Sequence, residues 1–271
     1  MTLEILKKYW IKAKKSLWQN FLVNEEIVTN ISKIINITWQ NIIEVWPWYW
    51  ALTEKLIQKK PLSLSLVELD KDMINILESR ISNWDFNIGD IDFNIFNIDI
   101  LKFETQIKDY SVIANIPYYI TSPILRHFLY QMKNKPKNML ILMQKDVWDK
   151  ILWKNKNKSS VLSLFIEKKS SVKEVLFVWK ENFVPAPKIE SSVLLFQNHD
   201  LYNDIDDNKF LILIKAWFWS TRKKLIKNFI NFWLKKDLII NIINELSLKN
   251  DIRWEDLNIA TWCELIKRID I

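Results

Sequence analysis

The turn at residues 46–50 most constrains what this chain can fold into. Before it, residues 42–45 form a short, mostly apolar run that suits a buried parallel strand, and helical spacing begins at Ala51. In cofactor-binding α/β folds such a turn carries glycines, because its backbone takes positive φ angles and approaches the ligand with no Cβ in the way. Here the turn contains Trp46, Trp48 and Trp50. The sequence therefore predicts strand, tight turn and helix, with turn residues that this geometry disfavours.

The whole composition shows the same anomaly. The chain has one glycine, Gly89, and fifteen tryptophans, whereas average usage of about 7% predicts roughly twenty glycines in a chain of this length. Our hypothesis is that most of the tryptophans stand for glycines whose codon was translated with the wrong genetic code. The codon UGA is read as tryptophan in one variant code and as glycine in another. The alternative is a truly tryptophan-rich protein, which would hold bulky residues at costly positive φ.

Length, charge and cysteine content limit the class of protein. A chain of 271 residues can form one large domain with a small second one. It has no long apolar span, and its first residues are lysine-rich rather than signal-like, so we expect a soluble, cytoplasmic protein. Cys263 is the single cysteine, which excludes a disulfide framework. The net charge of +7 favours a polyanionic partner.

Strand and helix patterns alternate along most of the chain. After Asn24, a plausible N-cap, a helix is predicted over residues 25–35, and another over 72–81. The predicted strands cover residues 42–45, 62–67, 93–98, 110–114, 139–143, 172–178 and 192–196. A polar run at 199–209 then leads to helical patterns within 210–234, 237–246 and 261–269.

Two acidic residues follow predicted strands. Glu68 lies about twenty positions past the first turn, where a carboxylate can accept hydrogen bonds from ribose hydroxyls. Asp99 follows the next strand, at a point where it can meet the amino group of an adenine. Both acids also fit a simpler role as a helix cap or a solvated strand end.

The sharpest chemical signal is the tetrapeptide 115–118, which matches the Asn/Asp-Pro-Pro-Tyr type of motif of amino-group methyltransferases. An exocyclic amine conjugated to its ring is a poor nucleophile, so a site must orient its lone pair toward a sulfonium methyl. The side-chain carbonyl of Asn115 and the main-chain carbonyl of Ile116 can accept the two amino protons, and Pro117 stiffens the turn. Tyr118 can stack on an extruded base, and Phe183, in a proline-rich connection, can face it from the other side. The structural alternative is a strand that ends at a proline, with a core tyrosine.

Basic residues cluster in the N-terminal arm, in residues 133–173 and in residues 222–227. Solvated surface is the simplest interpretation of each cluster, and contact with nucleic-acid phosphates is the functional one. His127 and His199 lie far apart in the sequence, so we expect no metal site.

In combination, these motifs resemble those of the ribosomal RNA adenine N6-methyltransferases, and most closely the small-subunit adenine dimethyltransferases. The family pattern of Lys-Ser-Leu-Gly-Gln-Asn-Phe-Leu, Glu-Ile-Gly-Pro-Gly-x-Gly-Ala-Leu-Thr, Glu-Leu-Asp, Asn-Leu-Pro-Tyr and Phe-x-Pro-x-Pro-Lys-Val-x-Ser is met at 15–22, 44–53, 68–70, 115–118 and 183–191. The glycines of the first two motifs are tryptophans here, at 18, 46, 48 and 50, which supports the glycine hypothesis. Tyr119 departs from the Asn or Gln that is frequent in the family.

The resemblance implies an α/β fold: a Rossmann-like class I S-adenosylmethionine-dependent methyltransferase with a seven-stranded sheet over residues 1–198. A small helical rRNA-binding domain is implied over residues 199–271. The implied cofactor is S-adenosylmethionine, at Asn20, Leu22, Trp46, Glu68, Asp99 and Asn115. The implied catalytic residues are Asn115, Ile116, Pro117, Tyr118 and Phe183.

The expected reaction is dimethylation of adenine N6 in small-subunit rRNA, on a pre-30S particle, by a monomer that needs no metal and no membrane. Two alternatives stay open. One is a large-subunit rRNA adenine methyltransferase of the antibiotic-resistance type. The other is a non-catalytic rRNA-binding assembly factor, which becomes plausible if the tryptophans are real, since three indoles would fill the methionine pocket.

Overall fold

The structure, a computed structural model, describes residues 9, 14, 20–47, 50–83, 87–117, 120–152, 159–218, 225–227 and 235–269. It divides into two compact units. The first takes its residues from Met1–Trp148 and Val172–Asn198, and the second from Asp149–Ser171 and His199–Ile271. One point of division coincides with the predicted boundary after residue 198. Residues 149–171, which the sequence analysis placed in the first domain, group with the C-terminal residues.

The first unit is built around a sheet. The strands of the described residues are β1 (Phe21–Leu22), β2 (Asn41–Val45), β3 (Ser63–Glu68), β4 (Asp92–Asn97), β5 (Tyr110–Asn115), β6 (Asn138–Gln144), β7 (Ser170–Val178), β8 (Phe183–Val184) and β9 (Ser191–Asn198). Seven of these described strands form the main sheet in the order β4-β3-β2-β5-β6-β9-β7. Strands β2 to β6 pair in parallel, and β9 runs antiparallel to β6. The predicted seven-stranded α/β sheet is confirmed, with strand limits within two residues of those expected.

Helices connect the strands and form the second unit. The α-helices of the described residues are α1 (Glu25–Ile31), α2 (Ala51–Ile57), α3 (Lys71–Ser82), α4 (Thr121–Arg126), α5 (Lys145–Leu152), α6 (Val161–Glu167), α7 (Asp207–Phe218), α8 (Lys236–Glu245) and α9 (Ile259–Lys267). The predicted cap of α1 is confirmed, because the Asn24 side chain accepts hydrogen bonds from the N–H groups of Glu26 and Ile27. This helix ends at Ile31, four residues earlier than the apolar spacing predicted.

Buried apolar side chains lie on both faces of the sheet, and one buried cluster lies on the face toward α1 and α2. Side chains alternate along a strand, so residues two apart share a face. Leu66, Ile113 and Leu142 project into a buried cluster together with residues of α1 and α2, such as Val28 and Leu56. This packing holds the carboxyl ends of the central strands close to the two helices that follow β1 and β2.

The second unit has a helical core of its own. Its buried cluster joins residues of α6, α7, α8 and α9, among them Leu164, Phe210 and Trp262. Lys168 is fully buried there. Its ammonium donates a hydrogen bond to the Ile205 carbonyl and forms an ion pair with the carboxylate of Asp207. Within the described residues, no helix combines the length and apolar character that a membrane crossing requires.

Candidate active site

Four predicted site residues follow the carboxyl ends of four neighbouring strands. Asp99 comes after β4, Glu68 ends β3, Trp46 follows β2 and Asn115 ends β5. These strands are adjacent in the sheet and parallel to one another. Because ligands of open α/β sheets bind outside the carboxyl ends of the strands, the topology gathers the four residues at the edge where a ligand is expected.

A cleft opens at this edge and encloses about 470 Å³ of empty space, part of it open to solvent. Its lining residues are Leu22, Val28, Ile31, Glu44, Trp46, Pro47, Ala51, Leu52, Ala114, Asn115, Leu140, Leu142 and Val193. Three predicted cofactor residues, Leu22, Trp46 and Asn115, are therefore brought together, while Asn20, Glu68 and Asp99 are not part of the lining.

Glu68 is built into a local network of the chain. Its carboxylate is 2% exposed and accepts a 2.8 Å hydrogen bond from the N–H of Asp70 at Oε1. Asp70 in turn caps α3 through the N–H of Asp72. Lys14, from the N-terminal arm, bonds Asp70 at 2.7 Å and Asp72 at 2.6 Å, and these hydrogen bonds raise the pKa of its ammonium. This contact between the arm and the acidic motif is not evident from the sequence.

Asp99 has a structural role that its sequence position also allowed. Its Oδ1 accepts a 3.0 Å hydrogen bond from the N–H of Leu101 and caps a short 3-10 helix, Ile100–Lys102. A contact between Asp99 and an adenine amino group stays a prediction.

Backbone hydrogen bonds hold the described part of the tetrapeptide 115–118 in place. Asn115 is half-buried and faces the cleft, and Ile116 and Pro117 are buried. The N–H of Ile116 donates to the Leu142 carbonyl at 3.4 Å, and the Pro117 carbonyl accepts from the N–H of Ile120 at 3.2 Å. These bonds tie the turn after β5 to β6 and to the start of α4. Tyr118 lies outside the described residues.

Phe183 lies next to the segment that begins with Asn20. In the two-stranded sheet, Phe183 of β8 pairs with Leu22 of β1. The N–H of Val23 donates to the Asn182 carbonyl at 2.8 Å, which extends this pairing. Phe183 is only 3% exposed and belongs to the core cluster, so its described surroundings are those of a packing residue. Stacking of Phe183 on a base stays a prediction.

Two tryptophans of the turn adopt a backbone that favours glycine. Trp46 has φ 55° and Trp50 has φ 68°, both in the left-handed region. Trp50 occupies the N-cap of α2 without a side-chain cap bond, is fully buried, and its Nε1 has no hydrogen-bond partner among the described residues. The indole of Trp46 forms part of the cleft wall. Trp48 lies outside the described residues.

Glu44 is the cleft residue that the sequence analysis missed as a functional group. It lies within the strand run that was read as apolar, yet its carboxyl is 1% exposed and lines the cleft. Burial raises its pKa to about 8, the hydroxyl of Thr53 opposes this shift, and the nearby charge of Glu68 adds to it. The signal in the sequence was a single acid inside a strand predicted to be buried.

The residues at this edge fit S-adenosylmethionine. The cleft has apolar walls and two polar groups, the Asn115 amide and the Glu44 carboxyl, and a buried carboxyl suits a ligand that carries cationic groups. Glu68 and Asp99 lie at the ends of the next strands along the same edge. The indole of Trp46 is the one wall group that is bulkier than such a turn normally provides.

The sheet order and this edge site define a class I S-adenosylmethionine-dependent methyltransferase. A family model described as ribosomal RNA adenine dimethylase matches residues 11–270 of the chain. The chain belongs to the ribosomal RNA adenine dimethylase family.

Individual relatives agree with this assignment. A Mycoplasma mobile protein named ribosomal RNA small subunit methyltransferase A is 35% identical over 254 residues, covering 91% of this chain and 94% of the relative. A Fusobacterium nucleatum protein of the same name is 31% identical over 261 residues, covering 94% and 97%. Among solved structures, a dimethyladenosine transferase from Plasmodium falciparum superposes with a TM-score of 0.78 at 20% identity, covering 90% and 95%. The 23S rRNA methyltransferase ErmE gives 0.72 at 16% identity, covering 92% and 99%; both structures show similarity of fold.

Proposed function

We propose that this protein transfers methyl groups from S-adenosylmethionine to N6 of adenines in small-subunit rRNA, two to each base. The observation that carries the proposal is the position of Asn115, Ile116 and Pro117, which lie at the carboxyl end of a central strand beside the cleft. Family membership over residues 11–270 and relatives named as small-subunit methyltransferases support the same reaction.

The proposed mechanism relies on positioning. The Asn115 side-chain carbonyl and the Ile116 main-chain carbonyl accept the two amino protons of adenine and turn the nitrogen lone pair toward the methyl group. Hydrogen bonds from Ile116 to β6 and from Ile120 to Pro117 hold these acceptors in place. When bound, S-adenosylmethionine supplies a methyl group on a sulfonium, which makes the carbon electrophilic. Correct alignment of the two reacting atoms, rather than acid–base chemistry, accounts for the rate.

We assign the cofactor to Asn20, Leu22, Trp46, Glu68, Asp99 and Asn115. The strand-end positions of Trp46, Glu68, Asp99 and Asn115 support this assignment, and so does the presence of Leu22 in the cleft wall. For the substrate base, we assign Tyr118 and Phe183 as stacking residues. Phe183 is buried beside Leu22, so contact with a base requires it to become exposed when the substrate binds.

We further infer that glycine is the natural residue at positions 39, 46 and 50. Six described residues other than glycine have positive φ, and three of these six are tryptophans: Trp39, Trp46 and Trp50. Left-handed backbone costs about 1–2 kcal/mol for each residue that carries a Cβ, and glycine avoids this cost. The codons test the inference directly: UGA is expected at the three positions, and UGG would refute it. Masses of peptides from the natural protein provide an independent reading.

The proposed partner is the small-subunit rRNA within a pre-30S particle, bound by a monomer in the cytoplasm without a metal. The net charge of +7 supports a polyanionic partner. The helical second unit is the proposed rRNA-binding region. Of its predicted phosphate contacts, Lys227 is described, whereas Arg222, Lys223 and Lys224 lie outside the described residues.

Primer extension on rRNA from cells that lack the gene tests the target. A dimethylated adenine stops reverse transcriptase, so we expect the loss of a stop in the small-subunit rRNA, and its return when the gene is restored. Loss of a stop in the large-subunit rRNA instead would favour the resistance-type methyltransferase. An unchanged pattern, with normal binding to the particle, would favour the non-catalytic assembly factor.

A further inference from the structure

His127 is a buried histidine that forms a hydrogen bond with a distant part of the chain. The residue is 3% exposed, and its Nε2 lies 3.0 Å from the main-chain carbonyl oxygen of Phe103. A carbonyl oxygen only accepts, so Nε2 carries the proton and donates it. His127 begins a π-helical turn, His127–Gln131, and such turns are frequent at functional sites. The histidine takes no part in the methyl transfer proposed above, so its buried hydrogen bond calls for another explanation.

Phe103 ends the segment that Asp99 begins. The Asp99 side chain caps the 3-10 helix Ile100–Lys102, and its main-chain carbonyl accepts a 2.8 Å hydrogen bond from the N–H of Lys102. The N–H of Phe103 in turn donates to the Ile100 carbonyl at 3.2 Å. Because local bonds join the whole segment, the position of the Phe103 carbonyl and the position of Asp99 are linked.

Phe103 is held from two sides. Its ring packs edge-on against Phe96 of β4, with ring centroids 5.2 Å apart, and the residue is buried. Its carbonyl is held by His127, which follows directly on α4. The start of α4 is connected to the tetrapeptide 115–118 by the hydrogen bond from Ile120 to Pro117. His127 therefore joins the Asp99 segment to the helical segment that follows the proposed catalytic turn.

Asp99 has an oxygen to offer to a ligand. Its Oδ1 accepts the hydrogen bond from Leu101, whereas its Oδ2 accepts none from the part of the chain that the structure describes. The residue is half-buried and follows β4 at the carboxyl edge of the sheet. Hydrogen bonds weaken steeply when distance or angle departs from a narrow range. A shift of the segment would therefore cost Asp99 its bond to a ligand amino group.

We propose that His127 is a positioning residue: through the Phe103 carbonyl, it holds Asp99 where the carboxylate accepts the 6-amino group of the cofactor's adenine. His127 thereby sets how strongly the site prefers adenine to a purine that lacks this amino group. The inference rests on the proposed function, which supplies the cofactor and its contact with Asp99. Loss of the His127 donor weakens ligands that carry the amino group, whereas loss of a purely structural contact weakens all ligands alike.

Titration calorimetry compares S-adenosylhomocysteine with its analogue that carries hypoxanthine in place of adenine. The full chain is used, as it stands and with Trp46, Trp48 and Trp50 replaced by glycine. With His127 present, we expect a preference for the adenine ligand of about tenfold or more, because the bond is to a charged group. His127→Met should reduce this ratio about threefold or more by weakening the adenine ligand alone. His127→Gln has nearly the shape of methionine but keeps an N–H donor, so it should restore most of the ratio.

Asn134→Ala is the matched control. The Asn134 amide donates a 3.1 Å hydrogen bond to the Thr105 carbonyl, two residues further along the chain from Asp99 than Phe103 is. Its loss should lower the melting temperature and leave the ratio of the two affinities unchanged. A similar fall of the ratio in this variant would show that any loosening of the connection has the same effect, which overturns the specific role of His127.

The other outcomes separate the positioning role from the proposed function. An unchanged ratio in His127→Met, or equal weakening of both ligands, refutes the positioning role even if the variant melts earlier. Asp99→Ala should abolish the ratio; if the ratio persists there, Asp99 does not contact the adenine, and the inference fails with that assignment. If neither form of the chain binds either ligand, the proposed function itself fails. His127→Asn serves if His127→Met does not fold, since its shorter amide does not reach the Phe103 carbonyl, and the same fall is expected.

Discussion

Glu44 and Thr53 join the two elements on either side of the tryptophan-rich turn. The Thr53 hydroxyl of α2 donates a buried 2.7 Å hydrogen bond to Glu44 of β2. The bond links the strand before the turn at residues 46–50 to the helix after it. Trp46 and Trp50, the residues next to these two elements, take left-handed angles.

The free protein is expected to lose stability as the pH rises from 6 to 9. The pKa of Glu44 is about 8 in the folded protein, above its ordinary value of 4.5. The folded state thus holds a proton that the unfolded state lacks, and the resulting stability is present below pH 4.5 and disappears as the pH passes through 8. The full effect is roughly 5 kcal/mol as an upper limit. Urea unfolding from pH 4 to 9 measures it, and about half of the effect falls between pH 6 and 9.

The difference between the original protein and Glu44→Gln isolates this contribution from other titrating groups. The glutamine variant should show a flatter dependence on pH, whereas Glu78→Gln, which removes an exposed carboxylate from the same unit, should follow the original protein. Parallel curves for the original protein and Glu44→Gln would contradict the assigned pKa.

Replacing Trp46 by glycine should strengthen cofactor binding. The change relieves a left-handed residue by about 1–2 kcal/mol and removes an indole from the cleft wall. Trp39→Gly is the matched control, because Trp39 also has positive φ but is 73% exposed and does not line the cleft. Trp39→Gly should gain stability, whereas Trp46→Gly also loses the packing of a buried indole. Only Trp46→Gly should gain affinity for S-adenosylhomocysteine in calorimetry. Equal affinities would show that the indole does not obstruct the ligand.

At position 50, replacement by glycine should give a more stable protein than replacement by alanine. Both changes remove the same buried indole, a loss of about 3–5 kcal/mol, so their difference reports on the backbone. At φ 68° the alanine Cβ is strained, and Trp50→Gly should be more stable than Trp50→Ala by about 1 kcal/mol.

The order should reverse at Trp148, which lies within α5 and has no positive φ. There, glycine is expected to be about 1 kcal/mol less stable than alanine. Urea unfolding of the four variants compares the two positions. The same order at both positions would remove the backbone argument for glycine at residue 50.

Asn115→Ala should reduce methyl transfer far more than it reduces folding stability. Loss of the side-chain acceptor leaves the adenine amine poorly aligned, and misalignment costs on the order of 100-fold in rate. Single-turnover transfer to pre-30S particles measures this loss, and calorimetry with S-adenosylhomocysteine shows how much of it is cofactor affinity. Asn138→Ala is the control, since Asn138 begins β6 at the opposite edge of the sheet. Equal losses of methyl-transfer rate in the two variants would contradict the proposed role of Asn115.

The strands were predictable from the sequence because buried parallel strands appear as short apolar runs, and the Asn24 cap because it is a local hydrogen bond. The alternating α/β pattern also predicted that Glu68, Asp99 and Asn115 lie at the same edge of the sheet, because each follows or ends a parallel strand. The end of α1 at Ile31 was not predictable from the sequence, because the apolar residues after Ile31 keep the helical spacing although they belong to a turn.

Other features depended on contacts between distant parts of the chain. Leu22 and Phe183 pair in a small sheet across about 160 residues, and Lys14 reaches Asp70. No local pattern encodes such pairs, because the two partners lie far apart in the sequence and only the fold brings them together. Glu44 is a similar case: its position in a buried strand was evident, but the raised pKa arises from the surrounding groups.

The sequence by itself determined the alternating architecture, the motif at residues 115–118 and the anomaly of tryptophan in a glycine turn, because periodicity, turn chemistry and residue type are local properties. Only the tertiary structure decided that Glu44 and Thr53 link the elements on either side of the turn, that Trp46 and Trp50 take left-handed angles, and that a carboxyl lines the cleft. These depend on burial and on partners brought together by packing, which a linear pattern does not contain.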